Sequence, residues 1–128
     1  MSMWEEFQIA EKILEILDVE SIPAGHHLGR PFMTPYQIAI AFKRNYPDTF
    51  KAIGLPVGGK GTKRHTSLSQ YLGREISGHI NEAPLSGQIE GGFLYNGFLL
   101  DLRFLDGDRE IVSSSEHSYN LSIFRIKN

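Results

Sequence analysis

The stretch Gly54–His79, GLPVGGKGTKRHTSLSQYLGREISGH, is a basic loop running into a helix. Gly54, Gly58, Gly59 and Gly61 let the loop bend tightly and turn backbone N–H groups outward. Lys60, Lys63, Arg64 and His65 stand among or just after them. Thr66 or Ser67 can cap the helix, and Leu68, Tyr71, Leu72, Ile76 and Ile80 recur at helical spacing as its buried stripe. Ser69, Gln70, Gly73, Arg74 and Ser77 fall on the opposite face. A basic loop feeding a helix N-terminus suits phosphate, because the helix dipole and free N–H groups add to the lysine charges.

Upstream, Met3 to Leu17 reads as one helix. Phe7, Ala10, Ile13, Leu14 and Leu17 form its apolar face, widened by Ile9 and Ile16, and Trp4 stands at the core edge. Residues 18–31 lose periodicity, and Pro23, Gly25, Gly29 and Pro31 mark a loop. Thr34-Pro35-Tyr36-Gln37 signals a helix start, with Thr34 as cap, Pro35 at the first helical position and Gln37 closing a capping box. Ile38, Ala41 and Phe42 supply its buried face, Lys43 and Arg44 suit its C-terminal end, and Pro47 stops it. One further short helical turn is expected before Gly54, which suits its C-terminal cap.

Downstream of the loop–helix stretch, residues 81–92 read as a connection. Phe93-Leu94-Tyr95, Asn96-Gly97 and the run from Phe98 read as strand, hairpin turn and strand. Phe98, Leu100, Leu102 and Phe104 alternate on one face of the second strand. Asp106-Gly107-Asp108 is another turn, and Glu110–Ser113 and Tyr119–Ile126 add strands, the last with a phase shift that marks a bulge or an edge. The expected fold is a single α+β domain over 1–128: about three helices in 1–82, with the basic loop–helix, then antiparallel hairpins in 83–128. In element order this is similar to a winged-helix domain, whose last helix enters a DNA groove and whose hairpin forms the wing. The twelve residues between Ile53 and Thr66 exceed the turn of an ordinary helix-turn-helix.

Charge gives the functional direction. The formal net charge of −2 hides a segregation. Residues 1–42 carry six acids against two bases, residues 43–74 carry seven bases against Asp48 alone, and residues 75–128 carry eight acids against four bases. A positive middle between acidic flanks suits an anionic partner. The expectation is nucleic-acid binding, duplex DNA foremost, by a small regulatory or accessory protein using Lys43, Arg44, Lys60, Lys63, Arg64, Ser67, Gln70 and Arg74. Gln70 and Arg74 lie four residues apart, on one side of the helix, and are types that read adenine and guanine edges.

Other readings are carried beside this one. A protein-interaction module would use the apolar face of the first helix or an edge strand, with the basic loop against an acidic protein surface. A homodimer is left open. A small metal-dependent hydrolase would draw on Asp101, Asp106, Asp108 and Glu110, but arginines stand where a nuclease wants a lysine, and the Ser113–His117 run reads as a turn. Gly54–Gly61 nearly matches a P-loop but has Gly61 where the magnesium-binding hydroxyl belongs. Adjacent His26 and His27 make a poor metal chelate. The absence of cysteine excludes disulfides and thiolate chemistry. No cofactor, metal or catalytic residue is expected. The acidic, amphipathic start and the lack of a long apolar run lead to the expectation of a soluble cytoplasmic protein, away from the membrane.

Overall fold

The computed structural model describes residues 2–62, 66–113 and 120–127. Among the described residues five helices precede four strands: α1 Met3–Glu6, α2 Ile9–Ile16, α3 Pro35–Asn45, α4 Pro47–Ile53, α5 Leu68–His79, then β1 Ile89–Leu94, β2 Arg103–Asp106, β3 Arg109–Val112 and β4 Leu121–Ile126. The fold is α+β, with two antiparallel sheets of two strands each, β1–β4 and β2–β3. The winged-helix-like order is not confirmed by this arrangement.

The capping box of α3 is as the sequence predicts, whereas at α5 Ser67 is the cap of the two candidates and Gln70, expected on the exposed reading face, folds back to complete a box. Thr34 and Gln37 form a complete capping box with Pro35 inside it, and Ser67 and Gln70 form a second. Pro47 separates α3 from α4, and Gly54 closes α4 in the left-handed conformation.

The single N-terminal helix expected over Met3 to Leu17 is instead broken. Gln8 takes a φ of 50° in the left-handed region, and the Phe7 carbonyl freed by the break accepts a hydrogen bond from Lys12 Nζ at 2.7 Å. Helical residues advance about 100° each, so on an unbroken helix Trp4 would face about 180° away from Ile13. The break turns Trp4 inward, where it is buried and stacks on the His79 ring with centroids 4.4 Å apart. Ile9, Ile13, Leu17, Ile38, Phe42, Leu68, Leu72 and Ile76 are fully buried together with Leu85 and Phe124. The core therefore sits between α2, α3 and α5, and the β1–β4 pair closes it.

The hairpin expected at Asn96-Gly97 does not form. β1 begins four residues before Phe93, inside the expected connection, and pairs with β4 from Ile89↔Ile126 to Leu94↔Leu121. Local turn chemistry loses here to tertiary packing. The β4 pairing brings the Phe124 ring beside Gly91, where even a Cβ would lie 3.1 Å from it, and sets Ile89 into the core. Phe98 takes a φ of 61°, so the strand expected from Phe98 does not form; β2 begins only at Arg103, and Phe98 and Leu100 are exposed rather than alternating on one strand face with Phe104. The phase shift expected in the last strand is no bulge, since the β1–β4 register runs without interruption. Opposite β1, Phe124 exchanges two backbone hydrogen bonds with Met33, at 2.8 and 2.9 Å. Arg125 binds Glu90 and the carbonyls of Leu28 and Arg30, fastening the 18–31 loop to β4.

The turn at Asp106-Gly107-Asp108 does form, joining β2 to β3. This hairpin rests on α3 through Tyr36 stacked on Phe104, with centroids 5.3 Å apart, and through Lys43 paired with Asp106 at 2.9 Å. No helix among the described residues is long and apolar enough to cross a membrane.

Candidate functional site

The glycine-rich loop is bound on both sides. Toward β3, Lys60 N–H donates to Val112 O at 2.7 Å. Gly59, at a φ of 105°, passes so close that a Cβ would sit 2.7 Å from the same carbonyl oxygen. Toward α5, Gly58 lies against the Ser67 and Ser69 hydroxyls, where a Cβ would come within 2.6 and 2.5 Å. Glycine is needed at both positions for space and for the positive φ.

This binding changes the role of the α5 N-terminus. The N–H groups of Leu68 and Ser69 donate to Pro56 O and Val57 O at 2.7 and 3.0 Å, and that of Gln70 donates to Ser67 Oγ at 3.2 Å. The donors expected to meet phosphate are thus satisfied by the loop and by the cap. Ser67 is 4% exposed and its hydroxyl also meets Ser69 Oγ at 3.0 Å, so it serves the fold from inside. Ser69, expected on the polar face, is buried beside it.

The remaining expected residues divide among several surroundings. Lys43 is paired with Asp106. Arg44 is exposed on the last turn of α3. Lys60 meets Asp101 Oδ2 at 3.1 Å. Lys63 and Arg64 lie outside the described residues, as do residues 114–117 of the Ser113–His117 run. Ser113 itself is buried and accepts from Leu102 N–H. Gln70 and Arg74 share a face of α5, but that face lines a concavity of about 820 Å³ with Tyr36, Asn96, Leu100 and Asn120. Arg74 pairs with Glu75 at 3.4 Å and lies 5.9 Å from the Tyr71 ring. Tyr71 is a core residue; burial and the nearby Glu75 carboxylate raise its phenol pKa, against a lowering by Arg74.

A second cleft, of about 840 Å³, opens between α4, the glycine loop and β3. Lys51 from the last turn of α4, Lys60 from the loop and Arg109 from the start of β3 line it, over an apolar floor that includes Leu55 and Ile111. Glu110 also lines it and is engaged by Arg103 at 2.8 Å. Lys51 and Arg109 were not singled out by their sequence positions. Arg109 arrives through the Gly107 turn, which folds the β-rich half back onto the basic loop. That turn was the one signal that could have found it.

Among the described residues no group of three or more His, Asp or Glu side chains could hold a metal ion. Of the acids considered together as a cluster, Asp101, Asp106 and Glu110 each meet a separate cation. His26 and His27 stack on one another, with centroids 4.2 Å apart. No family model, curated protein or solved structure matches the chain.

Proposed function

We propose that this protein binds the phosphate backbone of nucleic acid, duplex DNA foremost, as a small regulatory or accessory protein of the cytoplasm. One observation carries the reading: Lys51, Lys60 and Arg109, from three separate segments, line the same cleft beside the glycine loop. Three cations around one concavity attract an extended polyanion, and each phosphate neutralised releases condensed counterions. Lys60 must leave Asp101 to make its contact. An exposed pair of this kind contributes only about 0–1 kcal/mol, so the exchange is easy. Arg44, Lys63 and Arg64 add charge in the same stretch of sequence. In this reading Arg74 supplies any base preference from α5, while Lys43, Ser67 and Gln70, whose side chain accepts from Ser67 N–H in the capping box, act structurally.

Fluorescence anisotropy of labelled duplex DNA at several salt concentrations tests the proposal. Replacing Lys51, Lys60 and Arg109 together by Ala should weaken binding and reduce the log–log salt slope by up to roughly 3. A parent protein that binds no DNA at low salt, or a folded triple variant with unchanged affinity and slope, would refute it. A second reading, a protein-interaction module, is favoured by a different observation. Phe93, Tyr95, Phe98 and Leu100 are 72%, 69%, 105% and 87% exposed within eight residues. Large apolar groups gathered in this way suit a protein partner.

A further inference from the structure

We infer that the concavity of about 820 Å³ between α5, the first turn of α3 and the 96–102 segment is a binding site for a small apolar carboxylic acid, with the carboxylate on Arg74 and the body over the leucines. This does not depend on the nucleic-acid reading.

The charge of the lining points one way. Among the described residues that line the concavity, Arg74 is the one that carries a charge, and none is an acid. Its Nε meets Glu75 Oε2 at 3.4 Å, while Nη1 and Nη2 make no hydrogen bond to the described residues. That open edge of a guanidinium matches the two oxygens of a carboxylate.

Two side-chain amides add donors beside it. Gln70 Oε1 accepts from Ser67 N–H at 3.2 Å, and Asn120 Oδ1 accepts from Asn96 N–H at 3.2 Å. Each bond fixes the amide with its oxygen on the backbone and leaves the N–H2 end without a partner among the described residues. Both residues line the concavity. An anionic acceptor therefore meets donors from α5 and from the start of β4, with no carboxylate in the lining to repel it.

The rest of the wall is apolar or already satisfied. Leu99 and Leu102, Leu121 from β4, and Pro35 and Tyr36 from α3 give it apolar surface. Ser69 and Ser113 are buried, and their hydroxyls have partners in Ser67 Oγ at 3.0 Å and Leu102 N–H at 2.9 Å. Glycine is unfavourable inside a helix, yet Gly73 stands in the middle of α5. A Cβ there would lie 3.2 Å from Pro35 Cγ and 3.6 Å from Ser122 Oγ, so its absence keeps the space between them open. A mostly apolar concavity with a few convergent polar groups is the usual form of a small-molecule site. One cation suits a singly charged group. A phosphate monoester carries more than one negative charge at neutral pH and would enter only partly neutralised.

Amide NMR titrations of the parent protein with naphthylacetate, and in parallel with the uncharged naphthylacetamide, test the inference. The expected result is saturable shifts at Gly73, Arg74, Leu102 and Leu121 with the acid, and about tenfold weaker binding of the carboxamide. Arg74→Gln should weaken the acid by a similar factor and leave the carboxamide unchanged. Asn120→Asp keeps an acceptor for Asn96 N–H and turns a donor into a carboxylate, so it too should weaken the acid alone. Both positions are exposed, and the acid-to-amide ratio of the parent decides the question even if a variant does not fold. No saturable shift at millimolar acid overturns the site, as do shifts centred on Phe93 and Phe98. Equal affinity for acid and carboxamide overturns the carboxylate as the group recognised. Tighter binding of a blocked peptide ending in a leucine carboxylate overturns the choice of a free small acid.

Discussion

Ser67→Ala separates a residue that builds the α5 N-terminus from one that touches a ligand. The hydroxyl accepts from Gln70 N–H at 3.2 Å and shares a hydrogen bond with Ser69 Oγ at 3.0 Å, with Ser67 4% exposed. Loss of an N-cap hydroxyl costs about 1 kcal/mol. Beyond that cap bond to Gln70 N–H, the change leaves the buried Ser69 hydroxyl without its partner. Unsatisfied buried groups cost about 1–3 kcal/mol, and water reaching the half-exposed end of the site reduces that figure. The sum expected is about 1.5–3 kcal/mol. For a domain of this size each kcal/mol lowers Tm by about 3–5 °C, so the variant should melt about 5–15 °C below the parent. Circular dichroism melts and urea titrations measure this, and the m-value should not change. DNA affinity at a temperature where both proteins are folded should be the same within twofold. A variant that melts with the parent, or that keeps its stability and loses binding, would refute the assignment of Ser67 to the fold.

Gly58→Ala should cost about 1–3 kcal/mol in urea unfolding, because its φ of 116° is strained for alanine and the new methyl would meet the Ser67 and Ser69 hydroxyls. Asp101→Asn frees Lys60 from its counter-ion at 3.1 Å and should tighten DNA binding at low salt while leaving the salt slope nearly unchanged, since Lys60 already makes its contact in the parent; unchanged affinity would mean that Lys60 makes no phosphate contact. Tyr46 donates to Glu15, and burial first, then that hydrogen bond and the carboxylate charge, raise its phenol from 10.0 to about 12. The folded state holds this proton more tightly than the unfolded chain does. The stability it adds is complete below pH 10 and fades as pH rises through about 12, and ultraviolet absorbance titration of the parent against Glu15→Gln should show the phenol moving back down in the variant.

What could be read from the sequence is what neighbours in the chain decide. Thr34 with Gln37, Ser67 as the cap of α5, Pro47, Gly54 and the Gly107 turn each act over three or four residues, and each does what its local chemistry dictates. The misreadings occur where a distant partner outbids the local signal. The Phe7–Gln8 break depends on where His79 stands, and the unused Asn96-Gly97 turn depends on Phe124 lying over Gly91. The face of α5 misassigned at Ser69 is the face that the Pro56–Gly58 loop covers. Helical periodicity records which residues share a side, but it does not record that a loop will return and close over the first turn. The alignment of Lys51 with Arg109 was hidden for the same reason, since the cleft joins segments that only the β2–β3 hairpin brings together.

Charge segregation along the chain therefore does not carry over unchanged to the surface. The positive middle segment is met by acids from the β-rich half, Asp106 on Lys43 and Asp101 on Lys60. In return that half contributes Arg109 to the cleft. These exchanges have different effects. Lys43 is a third exposed and its partner only 13% exposed, so this pair helps hold the hairpin on α3 and is unavailable to a ligand without loosening that contact. Lys60 is more than half exposed and sits on the loop, so its pair can open at little cost. Of the two paired lysines, the one that can be released lies in the cleft where two further cations are exposed. On the proposed reading, an anion arriving there would replace Asp101 on Lys60 without disturbing the docking of the hairpin. The same opening returns an uncompensated carboxylate close to the ligand, so the net attraction is modest and falls quickly as salt screens it. A site built this way favours a polyanion that spans several cations at once over a single phosphate that must rely on Lys60 alone.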